Sequence, residues 1–277
     1  AIRGQTFIAL TDGIFVEDLP TPHSNPTMNK WKTTIALLAL LGLCGCNPKT
    51  DGRFDVFFSP SGKKLTVIPI NHASLQLNFD GVEFEIDPVC SHVEPIVEYI
   101  DKPKADFILI THAHNDHFDP YAIHVLLDPK KTNIICDSVS NHLLHGKGIV
   151  LRNGQRADLG RGMSVTAIPA YNTDKKLAKI HPKGRDNGYL LDLDGLRVYI
   201  AGDTELTPEM RHLGKVDIAF LPCNRPYTMT LAQLRKAAEV IRPKVLYPYN
   251  FNRTRPEDIA RTLAHLPGTE VRMKDMR

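Results

Sequence analysis

Six residues, His112-Ala113-His114-Asn115-Asp116-His117, constrain this chain more than any other stretch. They follow a short apolar run, Phe107-Ile108-Leu109-Ile110, which reads as a fully buried strand. Extended backbone sends alternate side chains to one face, so His112 and His114 can leave the strand end pointing the same way. If the chain then turns, Asp116 and His117 can face a neighbouring point from the other side. Imidazole nitrogen and carboxylate oxygen are the donors zinc takes in sites that keep a position open for water. The spacing suits two adjacent metal ions better than one. A lone surface His-x-His pair would mean little, but four potential ligands in six positions, directly beyond a buried strand, predict a metal site.

The 277 residues can hold one large domain or two small ones. Apolar content of 42% and charged content of 23% are ordinary for a soluble globular body. A net charge of +3, with Lys and Arg scattered and no long basic run, argues against a nucleic-acid partner.

The front of the chain reads differently. Residues 1–27 run through Pro20, Pro22 and Pro26 without periodicity, and we read them as an extension upstream of the true start. Met28 then opens a signal peptide over residues 28–45, with positive charge in Asn29-Lys30-Trp31-Lys32 and an apolar stretch from Thr33 to Leu43. That stretch is too short for an ordinary membrane span of roughly 20 residues. Its end, Leu43-Cys44-Gly45-Cys46, resembles the lipobox of bacterial lipoproteins. The resemblance implies cleavage after Gly45, a lipid on Cys46, and a protein anchored in the bacterial cell envelope facing the periplasm. Residues 46–61 would then be a tether and 62–277 the folded body. Cys90, Cys136 and Cys223 are isolated, and no Cys-x-x-Cys pair occurs. They are expected to be small buried residues rather than a disulfide framework.

From Leu65 onward strands and helices alternate. Leu65–Ile70, Ser74–Phe79 and Val82–Ile86 read as strands, the last two joined by the hairpin signal Asp80-Gly81. A short helix is expected over Glu94–Ile100, another from Asp119-Pro120, and a third over Ser138–Leu144. Asn133–Cys136, Met163–Ile168, Asp217–Leu221 and Lys244–Tyr247 read as strands, and Gly188–Leu193 with Leu196–Ala201 as a hairpin around Asp194-Gly195. Thr230 can cap a helix whose Leu231, Leu234, Ala238 and Ile241 share a face. Thr254 and Glu257 fit a capping box around Pro256. Hairpins mixed with αβ alternation predict an α/β body with mixed sheets.

With the histidine motif in place, the chain resembles the metallo-β-lactamase superfamily. Supporting stretches are Asn71-His72-Ala73-Ser74-Leu75, Ile86-Asp87-Pro88 and Ala201-Gly202-Asp203-Thr204. The resemblance runs from about Leu65 to the C-terminus and looks closest to a broad branch near the sugar-lactone and phospholipase D-like enzymes. It implies a four-layer αββα sandwich with the site at one edge between the sheets. His112 and His114 would bind a first metal, Asp116 and His117 a second, and Asp203 would bridge them. Two positions depart from the pattern: Ala170-Tyr171-Asn172 and Tyr247-Pro248-Tyr249-Asn250 stand where the family supplies histidines. His181 is the nearest replacement, as a ligand or a residue facing the substrate. His72 is read as a turn residue or a donor beneath the metals, and Asp87 as orienting a ligand imidazole through its other nitrogen. Asn172, Asn250, Tyr171 and Tyr227 are placed around the substrate.

The implied chemistry is hydrolysis. Water on zinc has a pKa lowered toward roughly 7, giving hydroxide at neutral pH, and a second cation would polarise the scissile carbonyl or phosphoryl oxygen. Asp116 is the expected catalytic group, orienting the water or protonating the leaving group. The expected cofactor is Zn2+, one ion or two, with Mn2+ or Fe2+ as substitutes. The expected substrate is a small or lipid-like ester, lactone or phosphodiester. The competing reading is a degenerate protein of the same fold that binds a metal or ligand without turnover. A diiron oxygen-reducing enzyme fits less well because His114 stands where that group resembles a Glu pattern.

Overall fold

The computed structural model describes residues 52–277 together with two short strands, Ile8–Ala9 and Phe15–Asp18. The signal peptide over 28–45, Cys46, the first part of the tether and most of the upstream extension lie outside the described residues.

Two mixed sheets stack face to face, as the αββα expectation requires. The first runs in chain order through seven strands: Asp55–Phe58, Lys64–Asn71, Ser74–Phe79, Val82–Ile86, Phe107–Leu109, Asn133–Cys136 and Ile149–Val150. The second has nine, with the two N-terminal strands laid on the edge of Gln155–Gly160. It continues through Met163–Ala170, Asp186–Leu193, Leu196–Ile200, Ile218–Pro222, Val245–Tyr249 and Glu270–Val271.

Each sheet starts as an antiparallel meander and ends in parallel strands. The hairpin turns are alike: φ is 50° and 83° at Asp80-Gly81, and 56° and 83° at Asp194-Gly195. Positive φ at both central residues matches the right-handed twist of the flanking strands, which is why Asp-Gly stands at both places. The parallel strands are joined by crossovers containing Pro120–Leu126 in the first half and Leu231–Ile241 in the second.

The central core lies between the sheets. Phe107 and Leu109 point into it while Ile108 and Ile110 point outward, against Ala122, Ile123 and Leu126 of the covering helix. A strand buried on both faces needs apolar residues at every position, which explains the unbroken run before the histidine motif. Asp119 caps the first crossover helix by accepting from the Tyr121 and Ala122 amides, with Pro120 in the first turn. Thr230 and Gln233 form a reciprocal capping box on the second. Cys90, Cys136 and Cys223 are free and buried.

Three expectations fail. The tether does not reach Ser61: Asp55–Phe58 pairs with Lys64–Val67. Asp55 is held there by Tyr247 Oη at 2.6 Å and by Arg272 and Lys274 at 3.3 and 3.1 Å. Glu94–Ile100 is not helical. Ile96 and Ile100 are 63% and 71% exposed, so a helix would have no apolar face to bury there, and the Pro95 carbonyl instead accepts from Asn71 Nδ2. Thr254 does not cap the last helix, Pro256–Leu263; its hydroxyl donates to the Cys223 carbonyl and Arg255 takes the cap position.

Candidate metal centre

All of the candidate residues gather at one end of the sandwich. His72 lies in the turn before Ser74–Phe79, Asp87 follows Val82–Ile86, and the histidine motif follows Phe107–Leu109. Asp203 and Asn250 stand just beyond the ends of Leu196–Ile200 and Val245–Tyr249. The carboxyl ends of parallel strands leave side chains projecting into the crevice, so this is where an α/β sheet builds sites. His72, Asp87 and Asn250 have left-handed backbone, with φ of 52°, 43° and 46°. Such residues cost on the order of 1 kcal/mol each and persist only when neighbours hold them. Part of that hold is mutual, since the Asn250 N–H donates to the His72 carbonyl at 3.1 Å.

The protons on three imidazoles follow from their partners. The Thr111 hydroxyl donates to Asp87 Oδ2 at 2.6 Å, because a carboxylate only accepts. Thr111 Oγ1 is therefore the acceptor for His112 Nδ1 at 3.0 Å. His117 Nδ1 donates to the same Asp87 oxygen at 2.8 Å. Asn172 Nδ2 donates to the Tyr227 carbonyl, so Asn172 Oδ1 faces His181 Nδ1 at 2.9 Å and accepts from it. All three rings thus carry a proton on Nδ1 and turn Nε2 toward the centre, bare in His112 and His181. Fixing the tautomer through the far nitrogen is how proteins prepare imidazoles for a metal.

The bare nitrogens converge. His112 Nε2 lies 3.0 Å from His114 Nδ1, which lies 3.3 Å from His181 Nε2. Lone pairs this close repel unless a cation or a proton lies between them. Burial, reinforced by neighbouring imidazoles, pushes His112 well below its usual pKa, and burial takes His181 down to about 4, so protons are disfavoured on both. Three groups of donors lie within 4.8 Å of one another: His112, His114 and His181; His72, Asp116 and His117; and His112, His117 and Asp203. His72 is buried with neither ring nitrogen hydrogen-bonded, and its Nε2 lies 3.3 Å from Asp116 Oδ2. An orphaned buried imidazole beside a carboxylate fits a divalent cation.

The carboxylates complete the picture. Burial pushes Asp116 up, but His72 and His117 outweigh it and hold the carboxyl far below its ordinary range. Burial likewise opposes ionisation of Asp203, and His117 and His181 overcome it. Asp203 faces His117 Nε2 at 3.3 Å and His181 Nε2 at 3.5 Å. His117 is pulled down by burial and raised further by Asp203 and Asp87. A cation at its Nε2 would satisfy Asp203 as the imidazolium proton does, while Nδ1–H stays on Asp87.

Of the residues expected here, His112, His114, Asp116, His117, His181 and Asp203 come together, with Asp87 behind His117. His72 belongs to the donor cluster itself rather than to a turn alone. Asn172 acts on His181 and lies away from the cleft lining, and Asn250 Nδ2 donates to Asp203 Oδ1 at 2.6 Å. Sequence reading missed Thr111, whose only signal was adjacency to the motif. It also missed Glu205, which accepts from the Thr173 hydroxyl and the Thr173 and Asp174 amides and so anchors the loop carrying His181. The donors open into a cavity of about 350 Å³ whose lining includes Ile180, Asn224, Tyr227, Asn252 and Arg253.

Comparison with known proteins agrees with this geometry. Residues 64–250 match the β-lactamase superfamily domain. A UPF0173 metal-dependent hydrolase of Archaeoglobus fulgidus is 31% identical over 194 residues, covering 66% of this chain and 81% of its own. A candidate metal-dependent hydrolase of Parabacteroides distasonis superposes with a TM-score of 0.75 at 46% identity, covering 81% of this chain and 99% of its own. A metallo hydrolase of Ignicoccus hospitalis superposes with a TM-score of 0.65 at 26% identity, covering 76% and 95%.

Proposed function

This chain belongs to the β-lactamase superfamily as a metal-dependent hydrolase, and from that premise we propose that it cleaves an ester, lactone or phosphodiester with Zn2+ held at the strand-end cluster. The observation that carries this reading is the common orientation of His112, His117 and His181, each with its Nδ1–H fixed outward and its Nε2 turned inward. One ion would be held by His112, His114 and His181. A second would be held by His72, Asp116 and His117, with Asp203 facing both. His72 would thereby take the place of the late histidine that Asn250 replaces. Mn2+ and Fe2+ accept the same nitrogen and oxygen donors.

When bound, the metal supplies a nucleophile at neutral pH and polarises the scissile oxygen. Asp116, held ionised, accepts a hydrogen bond from the attacking water and aims it; a carboxyl so hard to protonate is a poor acid for the leaving group. Asp87, Thr111 and Asn172 hold the imidazoles in register, and Ile180 and Tyr227 narrow the cleft. The binding-only alternative is not favoured, since three donor groups converge despite the two replaced histidines and the relatives are named hydrolases.

A panel of phosphodiester, lactone and carboxyl-ester substrates tests this, run on the zinc-loaded protein beside His114→Ala. Turnover of one class above the variant is expected; no turnover on any class would sink the reading. We further propose that residues 28–45 direct export and are cleaved, and that lipid on Cys46 anchors the body to the periplasmic face of a membrane. Mass spectrometry of the membrane fraction should find lipid on Cys46, and an unlipidated chain starting at Ala1 would contradict it.

A further inference from the structure

The cleft has a floor and walls of unlike chemistry. His114, Asp116, His181 and Asp203 form the floor, and the walls carry no acidic side chain. A run of amides starts at the floor and ends on a wall. Asp203 can only accept, so Asn250 must turn its Nδ2 toward it, at 2.6 Å. Asn250 Oδ1 then faces Asn224 Nδ2 at 3.2 Å. The second proton of that Nδ2 goes to Asn252 Oδ1 at 2.7 Å. Each amide orientation follows from the one before, and the last leaves Asn252 with its NH2 end directed away from the run. Asn252 is exposed and lines the cleft.

The next residue adds charge. The Arg253 guanidinium rests 5.1 Å from the centre of the Tyr227 ring, and Arg253 also lines the cleft. Stacking on an aromatic face steadies a guanidinium while leaving its edge N–H groups free. Among the described residues it stands with no carboxylate ion pair, unlike Arg185, Arg255 or Arg272. Two neighbouring side chains therefore present donors only, on a wall without an acceptor charge.

We propose that Asn252 and Arg253 form an oxyanion-binding wall, and that the substrate carries a carboxylate or phosphate group beyond its scissile bond. This rests on the hydrolase reading only in treating the bound anion as part of a substrate. Asn250 has a second task in this arrangement: it passes the polarity of Asp203 outward, so that the wall donates where the floor accepts. Guanidinium and amide together match the planar edge of a carboxylate or two oxygens of a phosphate.

The test is calorimetric titration of the zinc-loaded full chain with glutarate, inorganic phosphate and the neutral diamide glutaramide. Glutarate or phosphate should bind well above glutaramide, and whichever binds tighter identifies the group. Arg253→Ala should weaken that anion about ten-fold, with Arg253→Lys between, as for loss of one charge-assisted contact. Asn252→Asp should weaken it at least as much, because the Oδ1 contact survives and the other oxygen repels the anion. Both side chains are exposed, so the fold is not at stake. Equal anion affinity in wild type and variants, no anion binding at all, or glutaramide binding as tightly as glutarate would overturn the proposal. Turnover is scored separately: Arg253-dependent binding without hydrolysis would sink the hydrolase reading and leave the wall standing.

Discussion

Val82–Ile86 and Leu196–Ile200 occupy corresponding places in the two sheets, each returning from an Asp-Gly turn and pairing next with a parallel strand. Each leads to an aspartate, Asp87 in the first half and Asp203 in the second, and both approach the ring of His117. Asp87 meets Nδ1 at 2.8 Å, and Asp203 faces Nε2 at 3.3 Å. Asp87 is wholly buried, with its oxygens taken by Thr111 and His117, so it orients. Asp203 borders the cleft, so it is free to coordinate. The same position on the same scaffold becomes a brace or a candidate ligand according to whether neighbours close over it. The halves also divide the labour, the first supplying most of the donors and the second the amides and guanidinium of the cleft wall.

Substituting the two aspartates breaks this comparison most severely. Asp203→Asn should abolish turnover and remove metal, measured by steady-state rates and elemental analysis. Asp87→Asn should keep the ligand set but weaken metal binding by roughly 10–100-fold, as loss of an imidazole's partner does. Equal effects would mean that both are ligands or that both are braces.

The fourth residues of the same two strands sharpen it. Glu85 and Tyr199 are both buried with their side-chain oxygens unpartnered. Burial, opposed by Lys102 and aided by Glu83, raises Glu85 to about 8. A carboxyl raised in the folded state binds its proton more tightly there than when unfolded. Stability should therefore be full below the unfolded value and fall as pH rises from about 4.5 to about 8, by on the order of 5 kcal/mol. Denaturant titrations at pH 5 and pH 9 should show this for the wild type, and Glu85→Gln should flatten it. An unchanged slope in the variant would place the pH dependence elsewhere.

Smaller effects follow from the outer partners. Asn172→Ala frees the tautomer of His181 and should lower zinc affinity about ten-fold, read by competition with a chromogenic chelator. The two crossover helices differ least. Thr230→Ala should cost about 1 kcal/mol in the second half. Asp119→Ala should cost more in the first, since Asp119 Oδ2 also accepts from the Cys90 amide at 2.9 Å. Thermal melts of both variants would decide it.

Much of the fold could be read from the chain because its signals are local. The Asp-Gly turns mark hairpins wherever they sit, and the apolar run at Phe107 announces a strand buried on both faces. Gln155–Gly160 escaped notice because only Ala157 and Leu159 turn inward, between charged neighbours and a terminal glycine. Glu94–Ile100 misled because apolar residues at near-helical spacing say nothing about whether a surface exists to cover them. The first four candidate ligands were legible because one strand end delivers them together. His72 and Asn250 were legible as candidates but not in their roles, and Asn224 and Asn252 not at all, since each acquires meaning only through a partner far away in sequence.

In the proposed hydrolase both halves feed one centre, and His72 completes it. Anomalous difference density at the zinc absorption edge, from crystals of the zinc-loaded protein, tests it most directly. One peak is expected to be bounded by His112, His114 and His181, and another by His72, Asp116 and His117, with Asp203 between them. An empty cluster, or a second peak that His72 does not touch, would contradict it.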